Sequence, residues 1–258
     1  MHIIIAQIKI VLKHLYFLFL KGIVACKSIF WKLFGGKKPD YHSIPIIINN
    51  FNRLEYLTKL IHSLEERGYR NIYILDNDSS YQPLLDYYKK TPYEVIYLHQ
   101  NVGFLALWKT PVYRRFRKQF YVYTDSDVVL DEQCPDDFMK VFLSVLLEHP
   151  ACMKVGFGIR IDDLPDHYSE KQSVINWESQ YWANRVNNLL FKARIDTTFA
   201  LYRPYCKGGS SPHLVFRTDF PYVIRHLPWY QDTRHLSEED QFYIAHSKKE
   251  TFWTGRLQ

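Results

Sequence analysis

Residues 120–127 read Phe-Tyr-Val-Tyr-Thr-Asp-Ser-Asp. The aromatic and β-branched run Phe120–Thr124 predicts a buried strand, and it leads straight into Asp125-Ser126-Asp127. Two carboxylates one residue apart at a strand end project the same way. Mg2+ and Mn2+ take oxygen ligands and often use one or two carboxylates together with substrate phosphates. Asp and Ser equally suit an ordinary turn, so the weight of this motif rests on what surrounds it.

Upstream, the chain alternates apolar runs with helical stripes. Ile44–Asn49 (IPIIIN) reads as a strand, and Leu57, Leu60, Ile61 and Leu64 form a helical stripe with Asn52 as its candidate cap and Gly68 at its close. Asn71–Leu75 is a second strand, Gln82–Tyr88 a helix and Tyr93–Leu98 a third strand; Phe104–Phe116 reads as a helix that Pro111 breaks or kinks. Strands alternating with helices predict an α/β, mainly parallel sheet flanked by helices. Such sheets bind ligands at the carboxyl ends of their strands. Here those ends carry Asn49-Asn50-Phe51-Asn52-Arg53, Asp76-Asn77, Asn101-Val102-Gly103 and Asp125-Ser126-Asp127, which together make one polar rim. A helix opening near Arg53 would aim backbone N–H groups at it, which suits phosphate.

Downstream, a helix follows Pro135 to about Glu148, and beyond Gly156 the pattern loosens. Trp177–Val186 reads as helical, Thr197–Tyr202 as a strand and Lys207–Pro212 as a Gly/Ser loop. Ser237–Lys248 reads as a helix capped by Ser237, with Glu238-Glu239-Asp240 in its first turn. Of the aromatic side chains Trp177, Tyr181, Trp182, Trp229 and Tyr230, the preferred reading is core, with stacking on a sugar or lipid acceptor as the other.

The ordered set PIIINNFNR, NIYILDND, QNVGF, FYVYTDSD and SEED resembles a family 2 glycosyltransferase of the GT-A fold, over about residues 43–250. The resemblance implies a Rossmann-like domain, a nucleotide-diphosphate sugar donor, a Mn2+ or Mg2+ cofactor and inversion at the anomeric carbon. It implies that Asn50, Phe51 and Arg53 bind the nucleotide, that Asp76 reads the base and that Asn101 and Gly103 face the nucleoside. It assigns the metal to Asp125 and Asp127, with Asp127 the direct ligand. It assigns Glu239 and Asp240 to catalysis, with Asp240 the general base. His246 or His226 is the candidate metal histidine, and a structural histidine is the competing reading of either. Arg225 or Arg217 is a candidate partner of the diphosphate. The chemistry needs two acidic clusters: one carboxylate takes the acceptor hydroxyl's proton while another site steadies the leaving diphosphate.

Charge is divided unevenly along the chain. The net charge is +6, from 33 Lys+Arg and 27 Asp+Glu. Residues 1–39 hold seven lysines and no acid, so the remaining 219 carry 26 basic and 27 acidic side chains. Within residues 1–36, lysines interrupt every apolar run, which argues against a spanning helix of roughly 20 apolar residues. Their helical spacing sets Lys9, Lys13 and Lys27 on one side and Ile5, Ile8, Leu12, Leu15 and Phe19 mostly on the other, an in-plane membrane anchor. The competing reading is a helix packed on the protein's own core. Residues 37–42 read as a linker and 43–258 as the transferase domain. Four cysteines without C-x-x-C spacing argue against a structural zinc site and fit a reducing compartment.

These readings combine into a peripheral enzyme at the cytoplasmic face of a membrane, adding sugar to a glycan or lipid-linked acceptor in cell-surface polysaccharide assembly. A sugar nucleotidyltransferase would carry a Gly-rich phosphate loop after the first strand, where this chain has Asn-Asn-Phe-Asn-Arg. A non-catalytic membrane-bound glycan-binding protein would show no metal-dependent nucleotide binding. A near-neutral globular part argues against nucleic acid.

Overall fold

The run Ile46–Asn50 forms β1, and all five residues are buried because both faces of the sheet are covered. The computed structural model describes residues 39–209, 214–232 and 234–247, with eleven further positions between Gln7 and Cys26. β1 leads through α1 (Glu55–Glu65) to β2 (Ile72–Asp76), then through α2 (Gln82–Tyr88) to β3 (Glu94–Tyr97). Two short helices, α3 (Ala106–Lys109) and α4 (Tyr113–Phe116), precede β4 (Tyr121–Asp125). Pro111 divides that segment as expected, since proline lacks the N–H a continuous helix would use. The second half contains β5 (Val128–Leu130), α5 (Phe138–Glu148), β6 (Cys152–Ile159), α6 (Lys171–Glu178), β7 (Leu190–Lys192), β8 (Ala200–Tyr202), β9 (Leu214–His226) and α7 (Glu238–His246).

The described strands make one sheet in the order β3-β2-β1-β4-β8-β6-β9-β5, with β7 also on β9. β3, β2, β1 and β4 are parallel neighbours. β8 runs antiparallel between β4 and β6, and β9 is parallel to β6 but antiparallel to β5 and β7. The mainly parallel expectation therefore holds for the first half, while the second half is mixed. The register sets Asn50 beside Asp76 and Asn49 beside Asp125, so these polar residues share one edge.

Alternation along the strands separates two cores. On one face Ile46, Ile48, Val122 and Phe157 pack with Leu57, Leu60 and Leu64 of α1 and Phe138 and Phe142 of α5. On the other, Ile47, Tyr121, Tyr123 and Tyr202 pack with Leu107, Tyr113 and Phe116 of α3 and α4. Fully burying one such Leu or Phe side chain is worth about 1.5–3 kcal/mol.

The amphipathic-helix expectation for residues 1–36 lies largely outside the described residues. The described positions there are helical and exposed, Leu12 by 59%, Leu15 by 56% and Phe19 by 65%. Among the described residues no helix is long and apolar enough to cross a membrane. Residues 210–213 of the expected Gly/Ser loop and the end of the last predicted helix at Lys248 also lie outside them.

Gly156 marks a close approach between β6 and β8: a Cβ there would sit 2.4 Å from the Phe199 carbonyl and 2.8 Å from the Ala200 Cβ. Gly156→Ala forces backbone to move and should cost about 1–3 kcal/mol, read as a lower urea midpoint with an unchanged m-value.

Candidate active site

The polar edge is built by four strand ends and closed by α7. At the end of β4, Asp125 accepts from Asn49 Nδ2 at 3.2 Å and from the Thr197 hydroxyl, and its own N–H donates to the Thr197 carbonyl at 3.0 Å. Burial and the neighbouring Asp127 charge both push the Asp125 carboxyl well above the usual carboxylate range. Asp127, about a third exposed at 33%, lies 3.4 Å from His226 Nε2. Burial raises Asp127 too, but His226 and the Arg53 charge outweigh it and hold the group low. The pairing of Val128 with His226 across β5 and β9 delivers this imidazole.

A second acidic cluster arrives on α7. Its capping box forms as the sequence predicts: the Ser237 hydroxyl accepts from the Asp240 N–H, and the Asp240 carboxylate takes the Ser237 N–H. Asp240 also accepts from Gln231 Nε2 at 2.5 Å and pairs with Arg53, both side chains being at most 10% exposed. Burial pushes the Asp240 carboxyl up, but the bonds from Ser237 and Gln231 and the Arg53 charge prevail and lower it. The Arg53 guanidinium lies over the rings of Tyr56 at 4.8 Å and Tyr243 at 3.9 Å. Phe51 meets Tyr243 edge-on at 6.1 Å. Arg53 follows the end of β1, where Asn49 donates to Asp125, so Arg53 brings Asp240 to the strand end that also meets the Asp125–Asp127 turn.

Glu239 does something the sequence did not suggest. Its carboxylate accepts from the N–H groups of Leu54 at 2.8 Å and Glu55 at 3.0 Å, the opening of α1. The helix N-terminus expected to face phosphate is thus occupied by this side chain, an anion at the positive end of the dipole. Asn52, the expected cap, is turned away: at φ +51° its Oδ1 accepts from the N–H groups of Ser80 at 2.7 Å and Tyr81 at 3.0 Å.

At the ends of β1 and β2, Asn50 Nδ2 donates to the Tyr88 hydroxyl at 2.9 Å, and that hydroxyl donates to Asp76 at 3.1 Å. Asp76 also accepts from the Ser79 N–H at 3.2 Å. Asn77 ties down the next loop, accepting from the Val102 N–H at 2.9 Å and donating to the Gly103 carbonyl at 3.2 Å. Asn101 Oδ1 takes the Gly103 N–H at 3.0 Å, and Gly103 has φ +80°, a conformation that suits glycine.

Other sequence readings change. His246 is not at the acidic pair: its ring stacks on Phe242 at 3.9 Å and its Nδ1 meets the Phe242 carbonyl at 2.8 Å, so of the two histidines His226 is the one beside Asp127. Arg217 pairs with Glu178 at 2.7 Å and is 3% exposed, and Arg225 pairs with Asp131 and Asp163, so both act as internal ties rather than diphosphate partners. Of the aromatic group Trp229 is core, whereas Trp177 is 57% exposed. Tyr56, Tyr88, Thr197 and Gln231 join the site without any local signal, because only tertiary pairing brings them to it.

Among the described residues no three or more His, Cys, Asp and Glu side chains converge as a metal centre. The donor set nonetheless fits a hard cation. Asp125 and Asp127 carry like charges with one residue between them at a partly buried strand end, an arrangement that a divalent ion would relieve together with phosphate and water ligands.

The family model for glycosyl transferase family 2 matches residues 46–210. Among solved structures, GalNAc-T7 with UDP, GalNAc and Mn2+ aligns at 11% identity and TM-score 0.46, over 70% of this chain and 42% of that one. Glucosyl-3-phosphoglycerate synthase from Mycobacterium tuberculosis, in complex with Mn2+ and UDP-glucose, aligns at 13% identity and TM-score 0.37, over 62% and 56% respectively. The chain therefore spans about half the length of these proteins. No curated protein matches it by sequence.

Removing Arg53 leaves the Asp240 charge buried and unpaired. Arg53→Ala should lose about 3–5 kcal/mol at neutral pH in urea unfolding. A lowered carboxyl contributes stability above its unfolded pKa and loses it as pH falls through the folded one. The gap between wild type and variant should therefore close on acidification, as Asp240 takes up its proton.

Proposed function

The chain belongs to glycosyl transferase family 2, and from that premise we propose that it transfers a sugar from a nucleotide-diphosphate donor to an acceptor hydroxyl. The observation that carries this reading is that Asp240 pairs with Arg53 just past the end of β1, while Asp125 takes its hydrogen bond from Asn49 at that same strand end. Asn50, Phe51, Arg53, Asp76, Asn101 and Gly103 line the nucleotide side of that edge. Asp125 and Asp127 would hold Mn2+ or Mg2+, Asp127 as the direct ligand with His226 beside it, and the ion would supply positive charge to the departing diphosphate.

Asp240 is the general base in this scheme. Held ionised by its partners, it accepts the proton of the acceptor hydroxyl as that oxygen bonds to the anomeric carbon and the bond to the diphosphate breaks. Single displacement inverts the anomeric centre. The base must first exchange its Arg53 contact for the acceptor, so donor binding beside Arg53 precedes proton transfer. Glu239 sets the base by anchoring α7 to the opening of α1. The mixture of a metal pair and a separate buried base favours sugar transfer over nucleotidyl transfer or glycan binding alone.

The acceptor in this reading is a glycan or lipid-linked hydroxyl presented at a membrane surface. Apolar side chains exposed on the N-terminal helix, among them Leu12, Leu15 and Phe19, support docking on a bilayer more than packing on the protein's own core. The lysines of that segment suit the anionic cytoplasmic face, at about 1 kcal/mol each near the surface.

Asp127→Asn and Asp240→Asn should each reduce transfer from a UDP-sugar at least about a hundredfold, with the circular dichroism spectrum retained. Normal turnover in both variants overturns the assignment. In flotation with phosphatidylglycerol-containing vesicles, Leu15→Glu with Phe19→Glu should release the full-length protein from the membrane fraction.

A further inference from the structure

The Tyr88 hydroxyl hydrogen-bonds both Asn50 and Asp76, and all three are at least 94% buried. The direction of the hydrogens is fixed. The Asn50 amide N–H can only donate, so it occupies a lone pair of the Tyr88 oxygen at 2.9 Å. The phenolic hydrogen is then directed at Asp76 Oδ1, 3.1 Å away. The Ser79 N–H holds Oδ2 at 3.2 Å. A carboxylate offers about four acceptor positions, of which the Tyr88 hydroxyl and the Ser79 N–H take two, one on each oxygen.

We infer that Tyr88 is a specificity-determining positioning residue, which through the Asn50–Tyr88–Asp76 chain holds Asp76 as a fixed hydrogen-bond acceptor selecting donor nucleotides whose base presents a ring N–H. This rests on the reading that Asp76 faces the base. An acceptor-only group pairs with the ring N–H of uracil or guanine. At the same position adenine and cytosine present a ring nitrogen that is itself an acceptor, and only a carboxylate free to shift takes their neighbouring exocyclic amine instead. Tyr88→Phe frees Asp76 Oδ1 to turn and leaves the Asn50 amide without its partner, so the discrimination relaxes. Tyr88 does not meet the reacting atoms, and its removal acts on binding rather than on the chemical step.

The test measures dissociation constants of UDP, GDP, CDP and ADP with Mn2+ by calorimetry, on wild type, Tyr88→Phe, Asp76→Asn and Tyr93→Phe. Tyr93 donates to Glu65 at the opposite end of the sheet, so its variant reports what losing a partly buried tyrosine–carboxylate bond does to stability alone. The expected result is a preference of the wild type for UDP or GDP over CDP and ADP that falls about tenfold in Tyr88→Phe, with donor KM raised and kcat nearly unchanged. Tyr93→Phe should keep the wild-type preference whatever its melting temperature. If Asp76→Asn loses the preference while Tyr88→Phe keeps it, the role given to Tyr88 is overturned and Asp76 stands. If Asp76→Asn also keeps it, the base-facing reading of Asp76 is overturned, and the inference falls with it.

Discussion

Parallel pairing of β1 with β2 and β4 is the constraint on which everything at the site depends. Parallel neighbours place their carboxyl ends at one edge, so residues that end separate strands become neighbours without being close in sequence. The register does this residue by residue, Asn50 with Asp76 and Asn49 with Asp125. A shift of one position would turn each of these side chains to the opposite face. It would also strip the two cores, since Ile46 and Ile48 feed one and Ile47 the other.

The second half of the chain supplies what the strand ends lack. β9 brings His226 to Asp127, the 195–197 segment brings Thr197 to Asp125, and α7 brings Glu239 and Asp240 to the opening of α1. Each contact satisfies a charge or a backbone donor that would otherwise be buried alone, at a cost of about 1–3 kcal/mol or more for a charged group. Acid–base balance follows from the same contacts. Burial and the neighbouring Asp127 charge push Asp125 up, while hydrogen bonds from Ser237 and Gln231 and the Arg53 charge hold Asp240 down against its burial. Two carboxylates at one edge therefore differ in proton affinity.

Much of this was legible in the sequence where local pattern decides. The strands read over Ile44–Asn49, Asn71–Leu75 and Phe120–Thr124, each ending one residue short of the observed strand, the helix Gln82–Tyr88, the break at Pro111 and the Ser237 cap all follow from periodicity and turn chemistry. What was illegible is what tertiary pairing decides. β5, β7 and most of β9 are short or irregular in pattern, and β6 carries Lys154 among its buried residues. Asn52 looks like a helix cap locally, yet it serves the Ser80–Tyr81 turn while Glu239, 185 residues from Leu54, caps the helix instead. The choice between His246 and His226 could not be made by counting along the chain, because the pairing of β5 with β9 decides it.

The uneven charge of the chain likewise resolves into two parts, a lysine-rich N-terminal segment and a near-neutral domain with Asp76, Asp125, Asp127 and Asp240 at one sheet edge. The account stands or falls on that edge being a metal-dependent nucleotide site. Titrating UDP into the full-length protein with and without Mn2+ tests this most directly. The account predicts one site per chain, binding that requires the ion, and loss of that binding in Asp127→Asn. Binding of equal strength without Mn2+, or no binding with it, would contradict the account.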